Sequence, residues 1–260
     1  APPYHFWGDY LARRGFAVVL YDKRGNGESG GAWREVGFGP RAEDFAAIID
    51  RLAARNDIDR RAIGALAVSQ GGWVTALGAT KTSNLAFYAT VSSPMVTPGV
   101  ADTFAFASSM RLRGLSEEDV AKVLAVWKEE MALMRHLDSD AAWAKYDAVI
   151  DRVKNEDWYV RARYSPLTRD GWFGRWYAQV MDFDPAEVVR ESLIPSLWIY
   201  GSADTQSDPR TNIAIIDDLR TSSAPVKAVI FADGDHGLMV AHDAEREYPA
   251  AAPGFFKTLD

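Results

Sequence analysis

Apolar and polar positions along this chain fall into two textures that alternate. Short, continuously apolar runs occur at Phe16–Tyr21, Ala62–Val68, Ala86–Ser92, Ser196–Tyr200 and Val226–Phe231. Runs this short, without polar alternation, predict strands covered on both faces, as in a parallel sheet. Between them the apolar positions recur at helical spacing. Phe6, Trp7, Tyr10 and Leu11 make one stripe, and Phe45, Ile48, Ile49 and Leu52 make a clearer one. Asp208 followed by Pro209 reads as an N-cap with proline at the first helical position, opening a helix through Ile213, Ile216 and Leu219. Strand–helix–strand alternation predicts right-handed crossovers, hence an α/β fold whose mostly parallel sheet has helices on both faces.

Residues 97–190 break this rhythm. No strand-like run occurs there. Ser116 with Asp119 resembles a capping box leading into Val120, Val123, Leu124 and Trp127. A second amphipathic segment carries Trp143, Tyr146, Ile150 and Val153, followed by the aromatic clusters Trp158-Tyr159 and Trp172-Phe173 with Trp176-Tyr177. The pattern predicts a helical insertion over 97–190, set into a core formed by 1–96 and 191–260. The insertion's aromatics either line an apolar pocket or pack its own core, and the second reading is favoured for most of them.

Composition narrows the function classes. A length of 260 residues with 48% hydrophobic residues supports one large α/β domain, or a domain with an insertion. The formal net charge of -7 argues against a phosphate-binding surface, and so against nucleic acid as partner. No run of about 18 apolar residues predicts a membrane span. With no cysteine, disulfides, thiolate metal sites and cysteine nucleophiles drop out. Compartment stays open, cytoplasmic or exported.

The strongest chemical signal is Ala67-Val68-Ser69-Gln70-Gly71-Gly72, after one apolar run and before a helical stretch. It fits the nucleophile elbow G-x-S-x-G, with alanine at the first glycine. A sharp strand-to-helix turn lifts the serine oxygen clear of the sheet. The free N–H groups opening the helix suit a developing negative charge, and Gln70 carries the first of them. Ser-Gln-Gly-Gly also reads as a plain turn. His236, in Asp233-Gly234-Asp235-His236-Gly237, follows the last apolar run, and Asp204 follows the run ending at Tyr200. His5, His136 and His242 follow no strand directly and read as surface or structural residues. Asp208 reads as a helix cap; Asp233 and Asp235 read as shaping the His236 loop.

The joint pattern outweighs each part. Serine, aspartate and histidine follow three separate strands in that chain order, and a parallel sheet puts those strand ends on one edge. Histidine would take the serine's proton while aspartate orients the imidazole. A competing motif, Gly25-Asn26-Gly27-Glu28-Ser29-Gly30, matches G-x-G-x-x-G. Gly31, Gly37, Gly39 and Pro40 follow it instead of a helix, so it reads as a tight loop and not as a nucleotide site.

Leu20-Tyr21-Asp22-Lys23-Arg24-Gly25-Asn26-Gly27-Glu28-Ser29 resembles the Tyr-Asp-Lys-Arg-Gly segment of bacterial α/β-hydrolases related to carboxylesterases and acyl-peptidases. The resemblance implies the α/β-hydrolase fold and a triad of Ser69, Asp204 and His236. It also implies an oxyanion donor at the Gln70 N–H, an architectural Asp-Lys-Arg-Gly loop, the insertion as a cap, and neither cofactor nor metal. Relatives carry, ahead of the first helix, strands ending in a His-Gly-type loop that supplies a second oxyanion donor. The expectation is therefore that an upstream segment of the same protein completes the fold. The expected activity is two-step acyl transfer from a small-molecule ester, with a peptidase or acyl-peptidase on the same triad second. A non-catalytic, ligand-binding protein of this fold is the reading from another class, weakened by the presence of all three triad residues.

Overall fold

The computed structural model describes residues 3–240 and 250–258. The chain opens with α1 (Pro3–Ala12), which carries the first predicted stripe. A glycine-rich loop leads to α2 (Phe38–Ala53), which buries Phe45, Ala46 and Ile49. Then come β1 (Gly64–Val68), α3 (Gln70–Ala79) and β2 (Phe87–Val91). The next stretch is helical throughout, with α4 (Pro98–Leu112), α5 (Glu117–Met134), α6 (Asp140–Val153), α7 (Asp157–Ala162), α8 (Trp172–Tyr177) and α9 (Pro185–Glu191). The sheet resumes with β3 (Ser196–Gly201), α10 (Pro209–Thr221) and β4 (Val226–Phe231). The short strands β5 (Met239–Val240) and β6 (Ala250–Ala251) pair antiparallel, and α11 (Phe255–Thr258) follows.

Strands β1, β2, β3 and β4 lie in that spatial order and all pair in parallel. Their side chains alternate between the two faces of the sheet; β3 is almost wholly buried, whereas β1 is only half-buried. Tyr88, Trp198, Tyr200 and Val226 face a core built with Phe45, Ile49, Ala76, Val189, Ile216 and Leu219 from α2, α3, α9 and α10. Val91 and Ile199 face the opposite side, against Trp7 of α1, Leu238 and Phe255 of α11.

Local signals account for the helix starts. Ser116 accepts a hydrogen bond from the Asp119 N–H at 3.2 Å, as the capping box requires. Asp208 accepts from the Arg210 N–H at 3.1 Å ahead of Pro209. Within the helical stretch, Trp158 and Tyr159 pack with Val120 and Val123, while Trp143 and Tyr146 pack with Leu133. The buried Glu130 accepts from the Tyr146 hydroxyl, from the Tyr164 hydroxyl at 3.0 Å and from the Leu167 N–H at 3.3 Å. Burial pushes its carboxyl above the usual range.

One predicted strand does not form. Phe16–Tyr21 has no regular secondary structure and belongs to no sheet among the described residues, and its large side chains are 37–52% exposed. A cavity of about 2030 Å³ borders both this segment and β1, lined by Trp7, Val18, Leu20, Leu66 and Val68. The apolar pattern was a sound sign that these residues seek cover on both faces. A strand also needs a neighbouring backbone to pair its N–H and C=O groups, and β1 through β4 place none beside this one.

Candidate active site

Strand β1 ends at Val68 and α3 begins at Gln70, so the whole turn is made by Ser69. Its backbone sits at φ 51°, ψ −126°, in the region that side chains other than hydrogen disfavour. The Ser69 N–H donates to the Val91 carbonyl at 2.8 Å, extending the β1–β2 ladder through the strained residue. Of the two following glycines, Gly72 is the one space demands. A Cβ there would lie 2.3 Å from Ser93 Oγ and 2.4 Å from Ser93 Cβ. A Cβ at Gly71 would meet only the Ala67 methyl, at 3.5 Å. The alanine standing at the motif's first glycine therefore fits without a clash.

Asp204 lies in the loop beyond β3 and is 4% exposed. Its carboxylate accepts from the Gln206 N–H at 2.7 Å and the Ser207 N–H at 3.0 Å. It faces His236 Nδ1 at 2.9 and 3.0 Å. The carboxylate is an acceptor, so Nδ1 is the donor and Nε2 is left free to take a proton. Burial, reinforced by the Asp204 charge, pushes the Tyr200 hydroxyl far above its usual range, and that hydroxyl donates to the Ser93 carbonyl at 2.9 Å.

Loops beyond β3 and β4 are held together by hydrogen bonds between them. The Ala203 N–H donates to the Gly234 carbonyl at 2.9 Å, and the Asp233 N–H donates to Ser202 Oγ at 2.9 Å. Gly201 makes this approach feasible, since a Cβ there would fall 2.1 Å from the Gly234 carbonyl oxygen. Asp235 accepts from the N–H groups of Gly237 and Met239 at 2.7 and 2.8 Å, which shapes the turn presenting His236. Gly201 was missed in the sequence, although a glycine closing a strand just before a loop aspartate was a readable signal.

Ser69, Gln70 and His236 border a cavity of about 180 Å³. Trp73, Pro94, Pro98, Ala101, Val180 and Trp176 supply apolar walls, while Asp102, Tyr177 and Gln206 add polar groups. Asp204 and His236 are joined by hydrogen bonding. Ser69 and His236 share the cavity without a hydrogen bond between them among the described residues, a looseness common before substrate binds. Of the predicted aromatics, Trp176 and Tyr177 reach the cavity, whereas Trp143, Tyr146, Trp158 and Tyr159 pack inside the helical stretch. His136 closes the last turn of α5, and His242 lies outside the described residues. The Gly25–Gly31 loop is architectural. Ser29 Oγ donates to the Asp22 carbonyl at 2.7 Å, Arg24 pairs with Asp44 at 2.7 Å, and no helix opens on the glycines.

Residues 3–243 match the family model described as "Serine aminopeptidase, S33". The chain belongs to this family. Within this serine aminopeptidase family member, an 85-residue stretch is 36% identical to the uncharacterized protein YcjY of Escherichia coli strain K12. That match spans 32% of the chain and 28% of YcjY, under a third of the relative's length. The structure of DcsB in complex with its substrate analogue superposes with a TM-score of 0.54 at 15% identity, over 90% of this chain and 77% of that one. An esterase of Pyrococcus furiosus gives 0.54 at 15% identity, over 88% and 65%. A bromoperoxidase of Bacillus anthracis gives 0.51 at 16% identity, over 90% and 80%. At these identities the likeness carries the fold, which is that of the α/β-hydrolases.

Proposed function

We propose that this chain is a serine hydrolase that cleaves small acyl esters through an acyl-enzyme on Ser69. The observation that carries the reading is the Asp204–His236 pair, at 2.9 Å, on the rim of the cavity that Ser69 borders. Ser69 Oγ attacks the acyl carbonyl while His236 Nε2 takes its proton. The oxyanion of the tetrahedral intermediate is held by the Gln70 N–H at the start of α3. Collapse expels the alcohol, which receives the proton from His236. Water then repeats the sequence and releases the acid. One well-aimed oxyanion donor is worth about 10²–10³ in rate, so Gln70 alone leaves part of the effect to another group.

The slot beside β1 supports an origin for that second donor. A strand of the same polypeptide, inserted parallel between β1 and Phe16–Tyr21, would cover apolar side chains now 37–52% exposed and pair both free backbone edges. Its C-terminal end would lie level with Val68, hence beside Ser69. The helical stretch over 97–190, on this reading, caps the site through α4 and α8.

The family description favours a second reading, an aminopeptidase on the same triad. Hydrolysis of a chromogenic short-chain ester, compared with an aminoacyl amide, separates the two. Ester cleavage that disappears in Ser69→Ala is expected; no cleavage of either substrate would favour a non-catalytic protein.

A further inference from the structure

We infer that Asn212 is a positioning residue for the candidate triad: acting through Ser207, it fixes the Asp204 carboxylate, and with it the His236 ring, relative to Ser69. The inference rests on the hydrolase reading for the reaction, while its structural grounds are separate. Asn212 lies on α10, the helix that follows the Asp204 loop, and is almost wholly buried. Its Oδ1 accepts from the Met95 N–H at 2.8 Å, and its Nδ2 donates to Ser207 Oγ at 2.8 Å. Met95 and Ser207 are themselves fully buried. Met95 settles which way the amide faces, because a backbone N–H can only donate and so must meet the oxygen. Ser207 in turn donates its N–H to Asp204 Oδ1 at 3.0 Å, and Asp204 faces His236 Nδ1 at 2.9 Å.

The Asp204 loop needs such an anchor. Ser202, Ala203, Thr205 and Gln206 are exposed, and Ser207 is the buried point at which the loop rejoins the core. At its other end the tie reaches the nucleophile. Pro94, next to Met95, accepts from Trp73 Nε1 at 2.7 Å, and Trp73 stands on α3, the helix that begins directly after Ser69. A continuous buried path therefore runs from the partner of His236 to the helix of Ser69, two residues with no hydrogen bond between them among those described. A misplacement of about 1 Å in such a constellation costs up to about 10²-fold in rate, which makes the path a lever on catalysis. The plainer role of Asn212, satisfying the buried Met95 N–H, needs only its amide oxygen. The bond to Ser207 is surplus to that role. Ser207→Ala removes it while leaving the Met95 contact and the N–H of residue 207 in place.

The test uses the full-length protein and has two arms. In the first, the second-order rate of fluorophosphonate labelling at Ser69 is compared among variants. Asn212→Ala and Ser207→Ala are each expected to slow it at least about fivefold. In an Asp204→Ala background, Ser207→Ala should cause no further slowing, because the group it acts through is gone. In the second arm, hydrogen exchange is followed at the amides of residues 206 and 207, whose N–H groups Asp204 accepts, with no turnover required. Both variants should exchange there at least about ten times faster, with the β3 amides unchanged in Ser207→Ala. Should Asn212→Ala fail to fold, Ser207→Ala carries both arms, since it breaks the same tie at its other end. Labelling of either folded variant within about twofold of wild type, or slowing that persists without Asp204, overturns the role of Asn212. Unchanged exchange at 206 and 207 overturns it as well. Wild-type protein that resists labelling, while the variants still speed the exchange, counts against the hydrolase reading alone.

Discussion

Ser69 is held at a backbone conformation costing about 1–3 kcal/mol, and its neighbours are what keep it there. The Val91 carbonyl fixes its N–H, and the start of α3 closes onto Ser93 without a side chain at Gly72. The two glycines of the elbow should therefore respond differently. Gly72→Ala forces a methyl group into the Ser93 Cβ and is expected to destabilise the fold by about 1–3 kcal/mol, as overpacking does. Gly71→Ala meets the Ala67 methyl at an ordinary contact distance and should change the thermal midpoint little. Comparable midpoints for the two variants would contradict this account of the turn. Of the residues at the candidate site, Ser69, Asp204 and His236 could be picked out as candidates because each follows a strand. Asp102 and Tyr177 could not. They lie on α4 and α8, which give no sequence sign of which helical face turns toward the sheet.

At the scale of elements, the apolar runs marked β1 to β4 closely, with Val226–Phe231 matched end for end. Helix starts were legible where a side chain caps them, as at Ser116 and Asp208. Phe16–Tyr21 shows the limit of such reading. An apolar run reports a demand for cover, whereas pairing depends on a partner elsewhere in the sheet. The slot of about 2030 Å³ next to β1 is the space such a partner would take. Deuterium exchange on catalytically active protein tests whether it is filled. Amides of Phe16–Tyr21, and the outward amides of β1, are expected to exchange slowly. Rapid exchange at both, in a preparation that turns over ester, would mean that the slot stays open during catalysis.

At the scale of the molecule, parallel pairing is what brings three separate sequence signals together at one candidate site. The elbow after β1, the aspartate loop after β3 and the histidine loop after β4 all emerge at the same edge of the sheet. The helical stretch between β2 and β3 then lays Pro98, Asp102, Trp176 and Tyr177 over that edge. Family membership agrees with this architecture over residues 3–243 and leaves the chemistry to the site itself. The central claim is that Ser69 is the nucleophile, and covalent labelling addresses it without any choice of substrate. Incubation with a fluorophosphonate, followed by intact mass and peptide mapping, should give a single adduct on Ser69 in the wild type and none in Ser69→Ala. An adduct on another residue, or undiminished labelling of the variant, would contradict it.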